Sequence, residues 1–404
     1  MRIALVTREF PSETAWGGIG TFYARFAELL RGAGWEVEVF TQGVRLAGTE
    51  VHNGVTVHRV LPRKWVVGPR CGGDLAGMDP RHLGVFALSL ATSMLLAVRA
   101  RHRAQPFDLV EGHEHLGINA LINICFRQRP VTVTRYHTAY CTLVGRGLAN
   151  WPRSRLIRRL ESTSLRSAQA RISASAFIEK CTRQDFPGTP ACDATIPLFP
   201  GCQAAALSLP PFQSREKLMV FAGRLMPKHK NPELVAKAFS SLADRFPDWR
   251  VEFAGLDIEV DGESTWSHCE HVLARFPGRY RYHGVLDPSR LQDLYRRARI
   301  AVMPSGFESF GLVALEAMSN GCVPVVSDNT ALPESVDDAG LTVPNGSLEG
   351  LVAELEKLMQ DPKLQETLSR RCLDRIATCF SDQAILSQNL RVFGHPLNGR
   401  EARG

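Results

Sequence analysis

Between Phe307 and Ala317 the chain reads FESFGLVALEA, an apolar stretch with two carboxylates, Glu308 and Glu316, and seven residues between them. A core helix needs neither carboxylate, so the pair invites a chemical reading. IAVMPS (300–305) has the character of a strand and Gly321 of a helix stop, so residues 310–320 are predicted to form a short helix. The first N–H groups of a helix have no intrahelical partner and its dipole adds positive potential, which suits a phosphate. Ser309, Phe310, Gly311 and Leu312 lie at that mouth, and Gly311 would let a ligand approach the backbone closely. Glu316 would lie about 7–8 Å along the helix, within reach of a ribose attached to a diphosphate at the mouth. Its two oxygens can accept from vicinal hydroxyls. Glu308, before the helix, falls where a sugar on the distal phosphate would lie.

The elements that must position these groups come in two sets. RIALVT, EVEVF, VTVHRV, FDLVEGH, VTVTRYH and ARISAS are short apolar runs bounded by turn residues, and helical patterns such as GTFYARFAELLRGAG separate several of them. PLFPGCQAAALSLPPFQS (197–214) interrupts this alternation with Pro and small residues and reads as a linker. The alternation then restarts with KLMVFAG, WRVEFAG, YRYHGV, IAVMPS and CVPVVS as strands. Alternating β and α predicts parallel sheets covered on both faces. Ligands of such sheets bind beyond the carboxyl ends of the strands, so two of them facing each other should create an interdomain crevice.

With these motifs the chain resembles the family 4 glycosyltransferases of the GT-B fold: α/β, two Rossmann-like domains facing a cleft. FAGRLMPKHKNPE (221–233) is similar to the family's G-R-L…K-[GN] element, whose Arg and Lys bind the diphosphate and stabilise it as leaving group. The resemblance gives these roles to Arg224 and Lys230. Lys228 competes for the second, because the spacing is one residue longer than the commonest pattern, and Asn231 favours Lys230. Fixed cations suit the charge that develops on a departing nucleoside diphosphate. YHTAY places His137 after a strand, where the family has a histidine beside the transferred sugar, and RYHGV places Val285 in the loop that holds the nucleobase. AWGGIG resembles the family's glycine-rich turn, with Gly17 and Gly18 offering backbone N–H groups to the donor diphosphate. The resemblance thus implies His137, Arg224, Lys230 and Glu308 as catalytic. It implies Gly17, Gly18, Val285, Ser309, Phe310, Gly311, Leu312 and Glu316 as donor-binding.

The remaining features narrow the reading. The net charge is +7 with 44% hydrophobic and 22% charged residues, which is ordinary globular protein. Ten scattered cysteines without CxxC spacing, and no signal peptide, lead to the expectation of free thiols in the cytoplasm. The apolar run Leu83–Val98, about 16 residues, is shorter than a bilayer span and is expected as a buried helix. Arg153, Arg155, Arg158 and Arg159 are expected on a solvated helix face, with peripheral contact to an anionic membrane or an acidic acceptor as the alternative. LDIEVDGES (256–264) imitates a calcium loop but has His268 where a glutamate should close it, and reads as a polar loop. EGHEH (111–115) offers two histidines and no third metal ligand, so they are expected as polar residues at a sheet end. No metal site is expected, no cofactor beyond the nucleotide sugar as co-substrate, and no nucleic-acid partner. The basic residues lack interleaved stacking aromatics.

These expectations combine into an acceptor-binding domain over 1–200, a linker over 201–216, a nucleotide-sugar domain over 217–380 and a helix over 381–404 crossing back to the first domain. The implied reaction moves a hexose-type sugar from a nucleotide diphosphate to a hydroxyl of a small molecule, glycan or glycolipid with retention. A phosphorylase or sugar-nucleotide epimerase on the same fold, or a non-catalytic nucleotide-sugar binder, are the alternatives. Residues 61–82, where acceptor loops would lie, match no pattern.

Overall fold

The computed structural model describes every residue except 12, 14–16, 45–46, 64–78, 149–151, 201–208, 261 and 402–404, together with the side chains of 80 and 395–401. Most of the unmatched segment 61–82 and the first half of the expected linker therefore lie outside the described residues. The chain divides into two units, Met1–Phe199 with Asp382–Gly404, and Pro200–Ser381.

The first unit is built on an eight-stranded sheet. Its elements run β1 (Arg2–Thr7), α1 (Gly18–Gly32), β2 (Glu36–Gln42), β3 (Gly48–His52), β4 (Val55–Val60), α2 (Pro80–Ala104), β5 (Leu109–His113), α3 (Ala120–Cys125), β6 (Val131–Tyr136), α4 (Tyr140–Gly145), α5 (Arg155–Ser167), β7 (Ala170–Ser173), α6 (Ala176–Asp185) and β8 (Ala194–Thr195). The strand order is β3-β4-β2-β1-β5-β6-β7-β8, parallel except for the edge strand β3. β1 is buried along its whole length, as a strand covered on both faces must be. One face packs under α2, whose Leu83, Phe86, Leu90, Met94 and Val98 meet Ala4, Val6 and Val110. The apolar run is thus a core helix. Its Arg81–Ala104 stretch is also long and apolar enough to cross a membrane by composition. On the other side Phe26 of α1 faces Phe199 and Phe393.

The second unit holds β9 (Leu218–Ala222), α7 (Pro232–Leu242), β10 (Arg250–Ala254), β11 (Glu259–Val260), β12 (Glu263–Ser264), α8 (Thr265–Leu273), β13 (Tyr280–Tyr282), α9 (Pro288–Arg297), β14 (Ile300–Met303), α10 (Leu312–Ser319), β15 (Val323–Ser327), α11 (Leu332–Val336), β16 (Leu341–Val343), α12 (Leu348–Gln360) and α13 (Pro362–Cys379). Its six-stranded parallel sheet has the order β13-β10-β9-β14-β15-β16. The last helix, α14 (Asp382–Glu401), belongs to the first unit.

Three local expectations change. The segment 256–264 is not a plain loop: β11 and β12 form a small hairpin, and Asp257 spends its carboxylate on the Ser264 hydroxyl (2.6 Å) and the Trp266 amide (3.0 Å). The helix predicted at 310–320 begins at Leu312, because Gly311 is left-handed (φ +95°) and ends the loop before it. The second half of the expected linker is packed structure of the second unit, where Arg215 is buried and donates to Asn320 O at 2.7 Å.

Candidate active site

In the second unit the strand order reverses between β9 and β14: the chain moves outward through β10 and β13 on one side, then through β15 and β16 on the other. The carboxyl ends of β9 and β14 therefore flank a topological switch point, where open α/β sheets bind ligands. The two loops leaving these ends carry the predicted residues. Arg224 follows β9 by two residues and is exposed; Lys230 closes the same loop. Glu308 to Gly311 lie in the loop after β14, and Leu312 opens α10.

The loops are joined through their backbones. The Gly306 amide donates to His229 O at 2.9 Å. A Cβ on Gly306 would stand 2.4 Å from Lys228 O, so only glycine permits this approach. Lys228 thus contributes its carbonyl here, while its side chain is exposed. The Lys230 and Asn231 amides both donate to Met226 O at 2.9 Å, and Asn231 is left-handed (φ 57°) before Pro232 starts α7. This turn delivers Lys230 to Glu308, with Nζ donating to Oε2 at 2.5 Å. His229 sits between these charges: burial, the Lys230 ammonium and the Arg224 guanidinium hold it down at about 4 while Glu308 opposes them, so it is neutral at pH 7.

The mouth of α10 is equally determined. The Glu308 carbonyl accepts from the Ala331 amide at 3.0 Å and the Phe310 carbonyl from the Ser335 hydroxyl at 2.6 Å. Phe310 is buried, whereas Ser309 and Leu312 reach solvent in part. Glu316 lies one turn into α10. Its side chain also reaches solvent in part, yet its carboxyl is sunk far enough for burial to push it up to about 7. Val285 stands 70% exposed in the loop after β13, behind Gly284, whose carbonyl accepts from the Gly255 amide at 2.8 Å. Among the described residues no cluster of three or more His, Cys, Asp or Glu could hold a metal ion.

In the first unit the strand order reverses between β1 and β5. The β5 end supplies His113, whose Nε2 accepts from the Arg8 amide at 3.3 Å. His137 follows β6, and its amide donates to both Glu114 oxygens, at 2.9 and 3.1 Å. The rings of Tyr23, His113 and His137 form a triangle with centroids 5.8–6.1 Å apart. All three are buried, and Tyr23 Oη, His113 Nδ1 and His137 Nε2 have no protein partner. Burial, with Arg135 and His115 adding, lowers His137 to about 3, so its imidazole is neutral. Burial lifts Glu114 to about 8. Glu161, lifted to about 7 by burial, accepts from the amides of Leu116, Tyr140 and Cys141, tying the turn after His115 to the start of α4. His115 is off the strand, in a 3₁₀ turn, and its Nδ1 lies 3.0 Å from Thr138 O. Gly17 is the extended N-cap of α1, and Gly18 is its exposed first residue. Arg155, Arg158 and Arg159 are exposed on the first turns of α5, while Arg153, also exposed, precedes its N-cap Ser154 and so lies off the helix face expected for it.

Sequence reasoning did not single out Tyr23, Glu114, Glu161 or Gly306. Glu114 and Glu161 act on backbone amides brought from elsewhere, and nothing in their neighbours records it. Gly306, between Ser305 and Phe307, was open to the question why a glycine follows a strand end.

The family models settle the lineage. Residues 17–191 match the glycosyl transferase 4-like domain, and residues 210–372 match the glycosyl transferases group 1 domain. The chain is a family 4 glycosyltransferase of the GT-B fold. Such enzymes take a sugar from a nucleotide-sugar donor to an acceptor. Over nearly its full length the chain is 26% identical to the D-inositol 3-phosphate glycosyltransferase of Corynebacterium aurimucosum, covering 98% of this chain and 97% of that one. It is also 26% identical to a glycogen synthase of Mycobacterium tuberculosis, covering 97% and 94%. In fold this glycosyltransferase is similar to the sucrose-phosphate synthase of Thermosynechococcus elongatus, with TM-score 0.75, 21% identity, and 98% and 99% covered.

Proposed function

We infer that this glycosyltransferase moves a hexose-type sugar from a nucleotide diphosphate to a hydroxyl acceptor, with retention and without a divalent metal. The observation that carries this reading is the set of groups on the loops after β9 and β14: Arg224, Lys230, the mouth of α10, and Glu308 and Glu316 on either side of it. Arg224, Lys230 and the free amides of α10 would stabilise the departing diphosphate. Glu316 would hold the ribose, Glu308 the hydroxyls of the transferred sugar, and the loop at Val285 the base. The first unit would take the acceptor.

Retention follows from what each carboxylate is assigned to do. An inverting transfer needs a general base on the acceptor side, and a double displacement needs a carboxylate nucleophile at the anomeric carbon. Glu308, engaged with Lys230 on the donor side, is poorly placed for the first task. His137 is assigned to orient a sugar or acceptor hydroxyl through its neutral ring. In the proposed front-face course the bond from the anomeric carbon to the phosphate oxygen breaks. The acceptor oxygen bonds from the same side, and its proton passes to the departing phosphate.

The named relatives differ in what their names imply as acceptor, so the acceptor is proposed only as a hydroxyl compound, small or polymeric. The eight described cysteines are free, which supports a cytoplasmic setting. Peripheral membrane contact through the exposed arginines of α5 stays a secondary proposal. Thermal-shift screening with nucleotides and nucleotide sugars should identify the donor, because a ligand at 100 times its dissociation constant stabilises by about 2.7 kcal/mol. The anomeric coupling of the product then tests the stereochemistry: an α-glycoside from an α-linked donor is expected, and a β-glycoside sinks the front-face course.

A further inference from the structure

The two cations assigned to the diphosphate stand differently in the structure. Arg224 is exposed, whereas Lys230 is half-buried; Lys230 pairs with Glu308, and the side chains of that pair are only 19% and 16% exposed. Neither partner needs to search for the other. Lys230 is delivered by the Met226–Asn231 turn, the backbone of Glu308 is pinned to Ala331, and the loops are tied at Gly306 and His229. A charge-assisted bond that is mostly withdrawn from water is stronger than the same pair in solvent. It does two things to an incoming phosphate. It engages the ammonium that should attract it, and it places a carboxylate beside the path.

We propose that Glu308 is a latch on Lys230 that distinguishes the donor from its spent product. A nucleotide sugar satisfies both members of the pair: sugar hydroxyls engage Glu308 while the diphosphate takes Lys230. A nucleoside diphosphate satisfies only the lysine and leaves the carboxylate without its cation. Once the sugar has left, Glu308 recovers Lys230 and loosens the remaining nucleotide. The inference rests on the donor-site reading above and adds to it a role for Glu308 in product release.

The test is calorimetric titration of a nucleoside diphosphate into the full-length protein, using whichever of UDP, ADP and GDP raises its melting temperature most. The proteins are wild type, Glu308→Gln, Lys230→Ala and the double variant. Glu308→Gln keeps size and hydrogen-bonding atoms but loses the charge. It should bind the diphosphate roughly three- to tenfold more tightly than wild type, and product inhibition should tighten in step. Lys230→Ala should bind more weakly. Adding Glu308→Gln to Lys230→Ala should change affinity little, because the latch acts only through the lysine. A gain of the same size without Lys230 would mean plain repulsion between carboxylate and phosphate and would overturn the latch. So would a Glu308→Gln affinity at or below that of wild type. Both outcomes leave the donor site standing. A wild-type protein that binds none of the three diphosphates removes the donor site, and the latch with it. Glu308→Asp, with a shorter reach to Lys230, should fall between wild type and Glu308→Gln; should Glu308→Gln not fold, an Asp affinity at or below that of wild type counts against the latch.

Discussion

Arg224 and Lys230 sit on one short loop, yet they should fail differently when removed. Each alanine variant should lower turnover by about 10²-fold through lost stabilisation of the leaving group. Lys230→Ala should also free Glu308, which Arg224→Ala cannot do. Steady-state kinetics checks this, and normal turnover in both variants would remove the donor-site assignment. At the other sheet, Glu114 makes a statement about pH. Its ordinary value of 4.5 is raised to about 8 by burial. The folded chain therefore holds a proton there that the unfolded chain loses, and stability should fall as pH rises from about 4.5 to 8. Glu114→Gln, which keeps an acceptor for the His137 amide, should flatten that part of the profile in urea titrations between pH 5 and 8. An unchanged profile would assign the pH dependence elsewhere. Residues of this kind explain what the sequence reveals. Arg224, Lys230, Glu308 and Glu316 declare themselves because phosphate and diol recognition need particular side chains at fixed spacing. Glu114 and Glu161 recognise backbone amides that only the fold brings near, and a glutamate within EGHEH or RLEST says nothing of it.

At the scale of elements, the candidate site is a consequence of where each sheet reverses its strand order. The strands beside each reversal, β1, β5, β9 and β14, are apolar enough to be read directly from the sequence. The order of the strands is not, since it depends on which side of the sheet each crossover takes. β3 escapes because it is almost wholly exposed and carries no apolar run, and β8 and β16 because they are only two and three residues long. The glycine at 306 tests the loop-to-loop contact. Gly306→Ala would drive a methyl into Lys228 O, and separating the loops should cost about 1–3 kcal/mol. The Lys230–Glu308 pair should loosen with it. Urea unfolding and nucleotide titration of this variant should both respond, and wild-type values in both would show that the loops can part without consequence.

At the scale of the molecule, the first unit is completed by the last segment of the chain. Arg135 and Glu111 form an ion pair with no solvent exposure, Nε to Oε1 2.7 Å, and the Arg135 guanidinium also donates to Asn389 of α14 at 2.5 Å. Phe393 is buried against Phe26 and Trp35, and Arg25 pairs with Asp382. Deleting residues 382–404 should therefore lower the stability of the first unit and leave the second unchanged. Limited proteolysis followed by mass spectrometry can read this, and equal protection of the first unit with and without α14 would contradict it. Arg135→Ala should be costlier still, about 3–5 kcal/mol, because it strands Glu111 as a buried charge. The position of Asn389 also fixes an order of events on the ribosome. Domains ordinarily fold as they are synthesised, amino-terminal first. Here Arg135 waits for a partner made 254 residues later, so the second unit is fully translated while the first still lacks its closing helix. Chains ending at residue 381 and released from the ribosome should accordingly present a protease-resistant second unit beside a sensitive first one, and the first should become resistant only when α14 is present.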